Sequence, residues 1–340
     1  MLNRALFFGL KALVSIGLVW WALRQTDVAV VLSTINGVST TALVAATVLA
    51  FAHVPLGAIK WQVVLQALSC RLPVTRVFEF YYASLFLTQV LPGAVATDAV
   101  RVLMVARSGA TLAQAFSSVV LERVATVYTL LLLVTALLPV LLSKAPGFPV
   151  AWMFPALLLV GTAGLFGLLL LRRLPASMLR HRIVTGLVTF AQHTRQVLFH
   201  PVYTTVCLGL ALLSHLNLAL IVFALALGSD VEITLLDCLA LVPPVILLTL
   251  LPVSVAGWGV RETSMIAALG LVGVEAGPAL AISLLLGLLT LVSTLPGALF
   301  FIRLRGAALS RPQTDNAVTG LQSSASTVHS RSSGVSGPMK

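Results

Sequence analysis

An all-α, polytopic integral membrane fold is predicted by three observations. Hydrophobic residues make up 59% of the 340 and charged residues only 9%; apolar runs recur at lengths that cross a hydrocarbon core; and the arginines collect beside those runs rather than within them. In a soluble chain the net charge of +11 would raise the question of nucleic acid. Here it sits in membrane-flanking positions, where it sets orientation and contacts anionic inner-leaflet lipids, so no nucleic-acid partner is expected. Cys70, Cys207 and Cys238 show no paired spacing, which supports neither a metal site nor a disulfide framework.

The elements follow in order. Residues 5–23 read as an uncleaved first span, because the run ends in Trp20, Trp21 and Arg24 and lacks a small-x-small cleavage site. Further full spans are predicted at 41–59, 111–142, 151–171, 202–227 and 278–302 from the requirement of ~20 apolar residues. Two segments, 77–107 and 235–274, are interrupted. As a helix the arm from Val77 to Val90 would be about 21 Å long, too short for a core of ~30 Å, so it is expected to enter and turn back. Residues 172–201 form a basic connection in which Leu179, Ile183, Leu187, Phe190 and Val197 or Leu198 recur at helical spacing; an amphipathic helix on the inner leaflet is expected. From residue 306 to 340 the chain is rich in Ser, Gly and Thr and reads as a disordered cytoplasmic tail.

The interrupted segments carry an internal repeat. Leu91-Pro92-Gly93-Ala94-Val95-Ala96-Thr97-Asp98-Ala99-Val100-Arg101 returns as Leu251-Pro252-Val253-Ser254-Val255-Ala256-Gly257-Trp258-Gly259-Val260-Arg261, with Leu, Pro, Val, Ala, Val and Arg in step. A proline inside a helix removes a backbone donor and clashes with the preceding turn, so each copy predicts a break between two helical arms. An arginine beside such a break is costly in lipid unless it faces a polar cavity or a partner. Two broken helices bringing Arg101 and Arg261 towards one central site are therefore expected.

A cytoplasmic N-terminus places Arg4, Lys60, Arg71, Arg76, Arg107, Arg172, Arg173, Arg180, Arg182, Arg195, Arg303, Arg305 and Arg311 inside, and Arg24 and Lys144 outside. In that orientation the first interrupted segment enters from the cytoplasm and the second, flanked by Asp237 and Glu275, from the outside. The halves become an inverted repeat of span, broken hairpin, span: a first repeat at 41–142, the basic connection 172–201 and a second repeat at 202–302, within a transmembrane domain of 1–305. Transporters place substrate sites near the midplane of such arrangements. His53 and His215 fall at nearly matching positions of the paired spans.

Leu91-Pro92-Gly93 with Asp98 and Arg101, then Leu121-Glu122-Arg123 opening a long span, then Leu251-Pro252 and Gly257-x-Gly259-Val260-Arg261-Glu262, resemble the transmembrane, flippase-like family of lysylphosphatidylglycerol synthases, with the Gly-x-Gly-Val-Arg-Glu run the most specific part. The resemblance implies a stand-alone member without the synthase domain. It implies movement between leaflets of an anionic phospholipid or a polyprenyl-linked lipid, in a bacterial-type inner membrane with both termini cytoplasmic. The chain departs from the family at Ala96-Thr97, where a glycine pair is usual; this removes the reason to expect close backbone approach to a head group in the first hairpin.

Within that frame Arg101 and Arg261 are candidates for holding a lipid phosphate, since a planar guanidinium suits bidentate recognition. Asp98, on the helical face of Arg101, and Glu262 are candidates for neutralising the arginines or relaying a proton. Glu122 and Arg123 are candidate site residues through the resemblance. Gly257 and Gly259 would admit a ligand to the backbone or make the turn. Gly161, Gly164 and Gly167 read as close helix packing. No nucleotide or cofactor motif is present, and no enzyme activity is expected. The alternatives are a non-transporting membrane partner of a lipid-modifying enzyme or glycosyltransferase and, further off, a membrane-embedded lipid-phosphate enzyme, which would need a convergent His, Asp and Glu set.

Overall fold

The computed structural model describes residues 2–90, 94–144, 146, 151–171, 182–250 and 254–309. Every regular element among them is a helix: α1 (Leu2–Arg24), α2 (Val28–Gly37), α3 (Thr40–Ala67), α4 (Val74–Val90), α5 (Ala94–Ala106), α6 (Leu112–Ala136), α7 (Leu138–Lys144), α8 (Met153–Leu170), α9 (Arg182–Leu198), α10 (Pro201–Gly228), α11 (Leu235–Thr249), α12 (Val260–Gly270), α13 (Ala276–Thr294) and α14 (Gly297–Leu309). Five stretches are long and apolar enough to cross a bilayer: α3, α6, α8, α10 and Ala276–Arg305. The chain is thus an all-α multi-pass membrane protein; the first span expected at 5–23 falls in α1, whose apolar stretch Leu13–Arg24 is shorter than those five. Leu91-Pro92-Gly93, Leu251-Pro252 and the tail beyond 309 lie outside the described residues, as do 172–181. The residues to Phe301 form one compact unit; of a second unit, from Ile302, the described part is the end of α14.

Two boundaries move for reasons the residues explain. The span expected at 41–59 continues as α3 to Ala67, so Lys60 is an interior residue, 3% exposed, and not a cytoplasmic flank. The spans expected at 111–142 and 278–302 each break, at Leu137 before Pro139 and at Leu295-Pro296, where the proline withdraws its N–H from the helical ladder. One helix was not anticipated. Asp27 caps α2 by accepting the Ala29 N–H at 2.8 Å, and Val30 of α2 lies where a Cβ on Gly277 of α13 would be.

The centre of the fold is the crossing of α3 and α10. Their ends run antiparallel: Ser39 N–H donates to Gly228 O (2.8 Å) and Asn217 Nδ2 to Leu49 O (3.0 Å). The approach is close enough that a Cβ on Gly228 would overlap Ala42. Around this pair α4, α5 and α6 follow α3 as α11, α12 and α13 follow α10, each hairpin packed between its flanking helices. The core they enclose runs from Ala46, Ala50 and Val134 through Ile221, Val222 and Leu225 to Val242, Met265, Ile282 and Leu286.

Elements assigned to one side of the membrane are found together. Lys144 of α7 and Asp237 of α11, both expected outside, are ion-paired at 3.1 Å. On the opposite side Gln114 Nε2 donates to Leu68 O (3.0 Å) and Gln196 Nε2 to Ser69 Oγ (3.4 Å), joining the starts and ends of α6, α3 and α9. The amphipathic connection forms α9, but its inner face is turned onto α6. Phe190 meets Phe116 edge-on, His193 Nδ1 and Ser117 Oγ are 2.7 Å apart, and Ala191 and Thr194 are buried, while Leu187 is exposed. The Gly161, Gly164 and Gly167 face meets no helix: a Cβ at any of the three has open space around it, so the close-packing expectation does not hold.

Filling the α3–α10 crossing should destabilise the whole fold. Gly228→Leu is expected to cost about 1–3 kcal/mol by overpacking, read as a lowered Tm in detergent, whereas Gly164→Leu should leave Tm unchanged.

Candidate functional site

The site begins with a buried carboxylate. Glu122, 3% exposed and two to three turns into α6, accepts Lys60 Nζ on Oε1 (2.8 Å) and Arg101 Nη1 on Oε2 (3.2 Å). Lys60 comes from α3, Arg101 from α5, and Lys60 also donates to Thr126 Oγ1 at 2.6 Å. Three helices thus lock through one anion, which an apolar environment requires: a lone ion there would carry a desolvation cost of several kcal/mol.

Arg101 is 2% exposed. Its guanidinium lies over Trp61 (4.1 Å to the ring centroid) and near Tyr81 (5.1 Å). Trp61 is itself fixed by donating from Nε1 to Ser118 Oγ at 3.2 Å. Asp98, three residues before Arg101 on α5, stands 3.7 Å from Arg101 Nη1 and accepts Arg123 Nη2 at 3.0 Å. Arg123 is 45% exposed in its side chain. The arrangement is a chain of ions, Lys60–Glu122–Arg101–Asp98–Arg123, leading from the core to a surface.

That surface is a cavity of about 720 Å³ between α5, α6 and α8. Asp98 and Arg123 form its charged end; Ala99, Val102, Leu103, Phe116, Val120, Val127, Leu131 and Leu165 form most of the rest. Gly161 contributes open space there rather than a helix contact. A smaller cavity of about 210 Å³ adjoins it, sharing Val124, Tyr128 and Leu165, and reaches α9 and α10 at Val197 and Cys207.

The second copy of the repeat is built differently. Ala256, Gly257 and Gly259 take φ of 50°, 83° and 87°, so the backbone stays outside helix until Val260, where the first copy is already helical from Ala94. Glycine suits two of these positions, since a Cβ is strained at positive φ. At Gly259 it would also strike Leu18 of α1. Ser15 Oγ accepts the Val255 N–H at 2.9 Å, so α1 seals this break. Gly257 and Gly259 are therefore turn residues, with Thr249 and α1 beside them.

Glu262, fully buried, takes Arg261 Nε (3.0 Å) and Nη2 (2.6 Å) on Oε1 and the Gly259 N–H (2.6 Å) on Oε2; Ser283 Oγ is 3.5 Å away. Trp258 lies 4.6 Å from the Arg261 guanidinium, and a Cβ on Gly287 would overlap it. The structure therefore gives the two arginines separate partner sets: Asp98, Arg101, Glu122 and Arg123 come together, and Gly259, Arg261 and Glu262 come together elsewhere. Lys60, Trp61 and Tyr81 were missed as site residues. The available signal was a lysine followed by more apolar helix, Val63-Val64-Leu65, which demands a buried anion. His53 and His215 are held by neutral partners, Asn217 (3.4 Å) and the Thr126 carbonyl (3.0 Å). Among the described residues no three His, Cys, Asp or Glu side chains are grouped to hold a metal ion.

Residues 9–297 match the family model described as the lysylphosphatidylglycerol synthase TM region. The chain belongs to this family. Membership links it to lipid metabolism or transport in a membrane. No curated protein is similar enough to count as a match.

The two arginines should respond differently to truncation. Arg261→Ala strands the buried Glu262 and is expected to cost about 3–5 kcal/mol. Arg101→Ala leaves Glu122 paired with Lys60 and should cost less. Melting curves of the purified variants check the order, and a larger loss at Arg101 would contradict it.

Proposed function

We propose that the protein moves an anionic phospholipid or polyprenyl-linked lipid between leaflets, without covalent chemistry. The observation that carries the reading is the α5–α6–α8 cavity: an apolar chamber of about 720 Å³ with one ion pair, Asp98–Arg123, at its charged end and Arg101 behind it. An acyl or isoprenyl chain matches the Val and Leu lining, and a head-group phosphate matches the arginines. The adjoining cavity extends the apolar path along α6 and α8.

The antiparallel α3–α10 pair supports an inverted repeat, with α4–α5 and α11–α12 as hairpins entering from opposite sides. The arginine-rich inner flanks support an inner-membrane location with cytoplasmic termini. In this reading the first hairpin holds the lipid, and Arg261–Glu262 keeps the second in place. Docking of a lipid-modifying enzyme would fall to the exposed side of α9, around Leu187 and Phe199.

The test is transbilayer movement of a labelled phosphatidylglycerol in vesicles holding the full chain, with and without an imposed proton gradient. Wild type should move the lipid, Arg123→Ala should slow it at least about tenfold through loss of a charge-assisted contact, and Val127→Trp should block it by filling the cavity. A wild type inert under both conditions overturns the reading.

A further inference from the structure

The two copies of the repeat treat the same edge of the same arginine in opposite ways. In the second copy the side edge of Arg261, formed by Nε and Nη2, is closed by the carboxylate of Glu262. In the first copy Nη1 of Arg101 is taken by Glu122, while Nε and Nη2, buried with a side chain only 2% exposed, meet no acceptor. Nε and Nη2 form the two-donor fork that fits two oxygens of a carboxylate or phosphate. Two buried donors without an acceptor on one such fork are a strong departure from ordinary protein interiors.

The register explains the difference. The displacement that carries Arg101 onto Arg261 carries Val102 onto Glu262. Val102 is helical, directly follows its arginine as Glu262 does, and lines the large cavity. Where the second copy supplies an anion from its own chain, the first has an apolar cavity wall and an unfilled fork. The charges agree: Lys60, Arg101 and Arg123 against Asp98 and Glu122 leave the cluster at 3 − 2 = +1, whereas Arg261 and Glu262 balance.

We infer that the fork of Arg101 binds a singly charged phosphodiester, in the place that Glu262 occupies in the second copy. This rests on the lipid-transport reading and narrows it: a phosphatidyl lipid or an isoprenyl phosphosugar balances the cluster, and a diphosphate-linked lipid overcharges it. Glu262 is then a built-in replica of the bound head group, and a glutamate at 102 should act as a tethered competitor.

The experiment titrates the delipidated full chain in detergent with dioctanoyl phosphatidylglycerol, with an isoprenyl phosphosugar, with dioctanoyl phosphatidic acid and with inorganic phosphate, following bound ligand by native mass spectrometry. Val102→Glu should weaken phosphodiester binding at least about tenfold, as loss of a charged two-donor contact implies, with an unchanged or raised Tm. Val102→Gln, of equal size and no charge, should weaken it less than Val102→Glu does. Glu122→Gln, which raises the cluster to +2, should shift preference towards phosphatidic acid. Whichever phosphodiester binds identifies the source; inorganic phosphate binding as well as either lipid overturns the lipid assignment. Unaltered binding in Val102→Glu, or equal loss in Val102→Gln, overturns the inference even if vesicle transport is intact. Binding that follows these expectations beside inert vesicles would instead overturn transport and leave the site standing.

Discussion

The constraint on which this structure depends is that a charge inside an apolar fold must be met by an opposite one. Glu122 meets it for two helices at once, with Lys60 on one oxygen and Arg101 on the other. Because Lys60 belongs to α3, Arg101 to α5 and Glu122 to α6, the pairing fixes the relative placement of three helices whose apolar surfaces alone are weakly discriminating against lipid. Such pairs contribute specificity more surely than net stability, since the desolvation of each ion offsets most of the attraction. Trp61 and Tyr81 finish the enclosure of Arg101 with ring faces, which accept a cation without needing an acceptor of their own.

The second break obeys the same rule for backbone groups. Outside a helix, amide N–H groups at membrane depth need partners. Glu262 takes one from Gly259 and Ser15 of α1 takes another from Val255. The positive φ angles at Gly257 and Gly259 aim these groups, and the bare Gly259 lets α1 close over them. The Gly-x-Gly-Val-Arg-Glu run is thus a structural unit: two glycines for the turn, an arginine, and the glutamate that satisfies both.

Much of this was legible in the sequence. Apolar length indicated the five stretches long enough to cross a membrane, and the proline-bearing repeat indicated two broken segments flanked by long helices, because those signals are local. What failed was set by tertiary contact. Lys60 reads as a flank to any hydropathy window, since the window sees its charge and not the Glu122 that neutralises it. The Gly161, Gly164 and Gly167 spacing matches a packing motif, yet these residues face open space and the cavity; spacing shows which face is small, not what lies opposite. Helix α2 was too short and too polar at its ends to stand out, and depends on its Asp27 cap and on packing against α13. Convergence of Arg101 and Arg261 was inferred from symmetry of sequence, but each arginine is claimed by the nearest carboxylate in its own half.

That outcome shows how a repeat can divide its tasks. Two copies with the same proline and the same arginine need the same neutralisation, and the second obtains it from the next residue in its own chain. In this arrangement both Nε and Nη2 of Arg261 are met by the carboxylate of Glu262. The first copy spreads three cations over two carboxylates and leaves one buried guanidinium edge without an acceptor, next along the helix from Val102, which lines an apolar chamber. The difference between two equivalent positions, Val102 and Glu262 in the repeat register, leaves the guanidinium edge of Arg101 without an acceptor where that of Arg261 is closed.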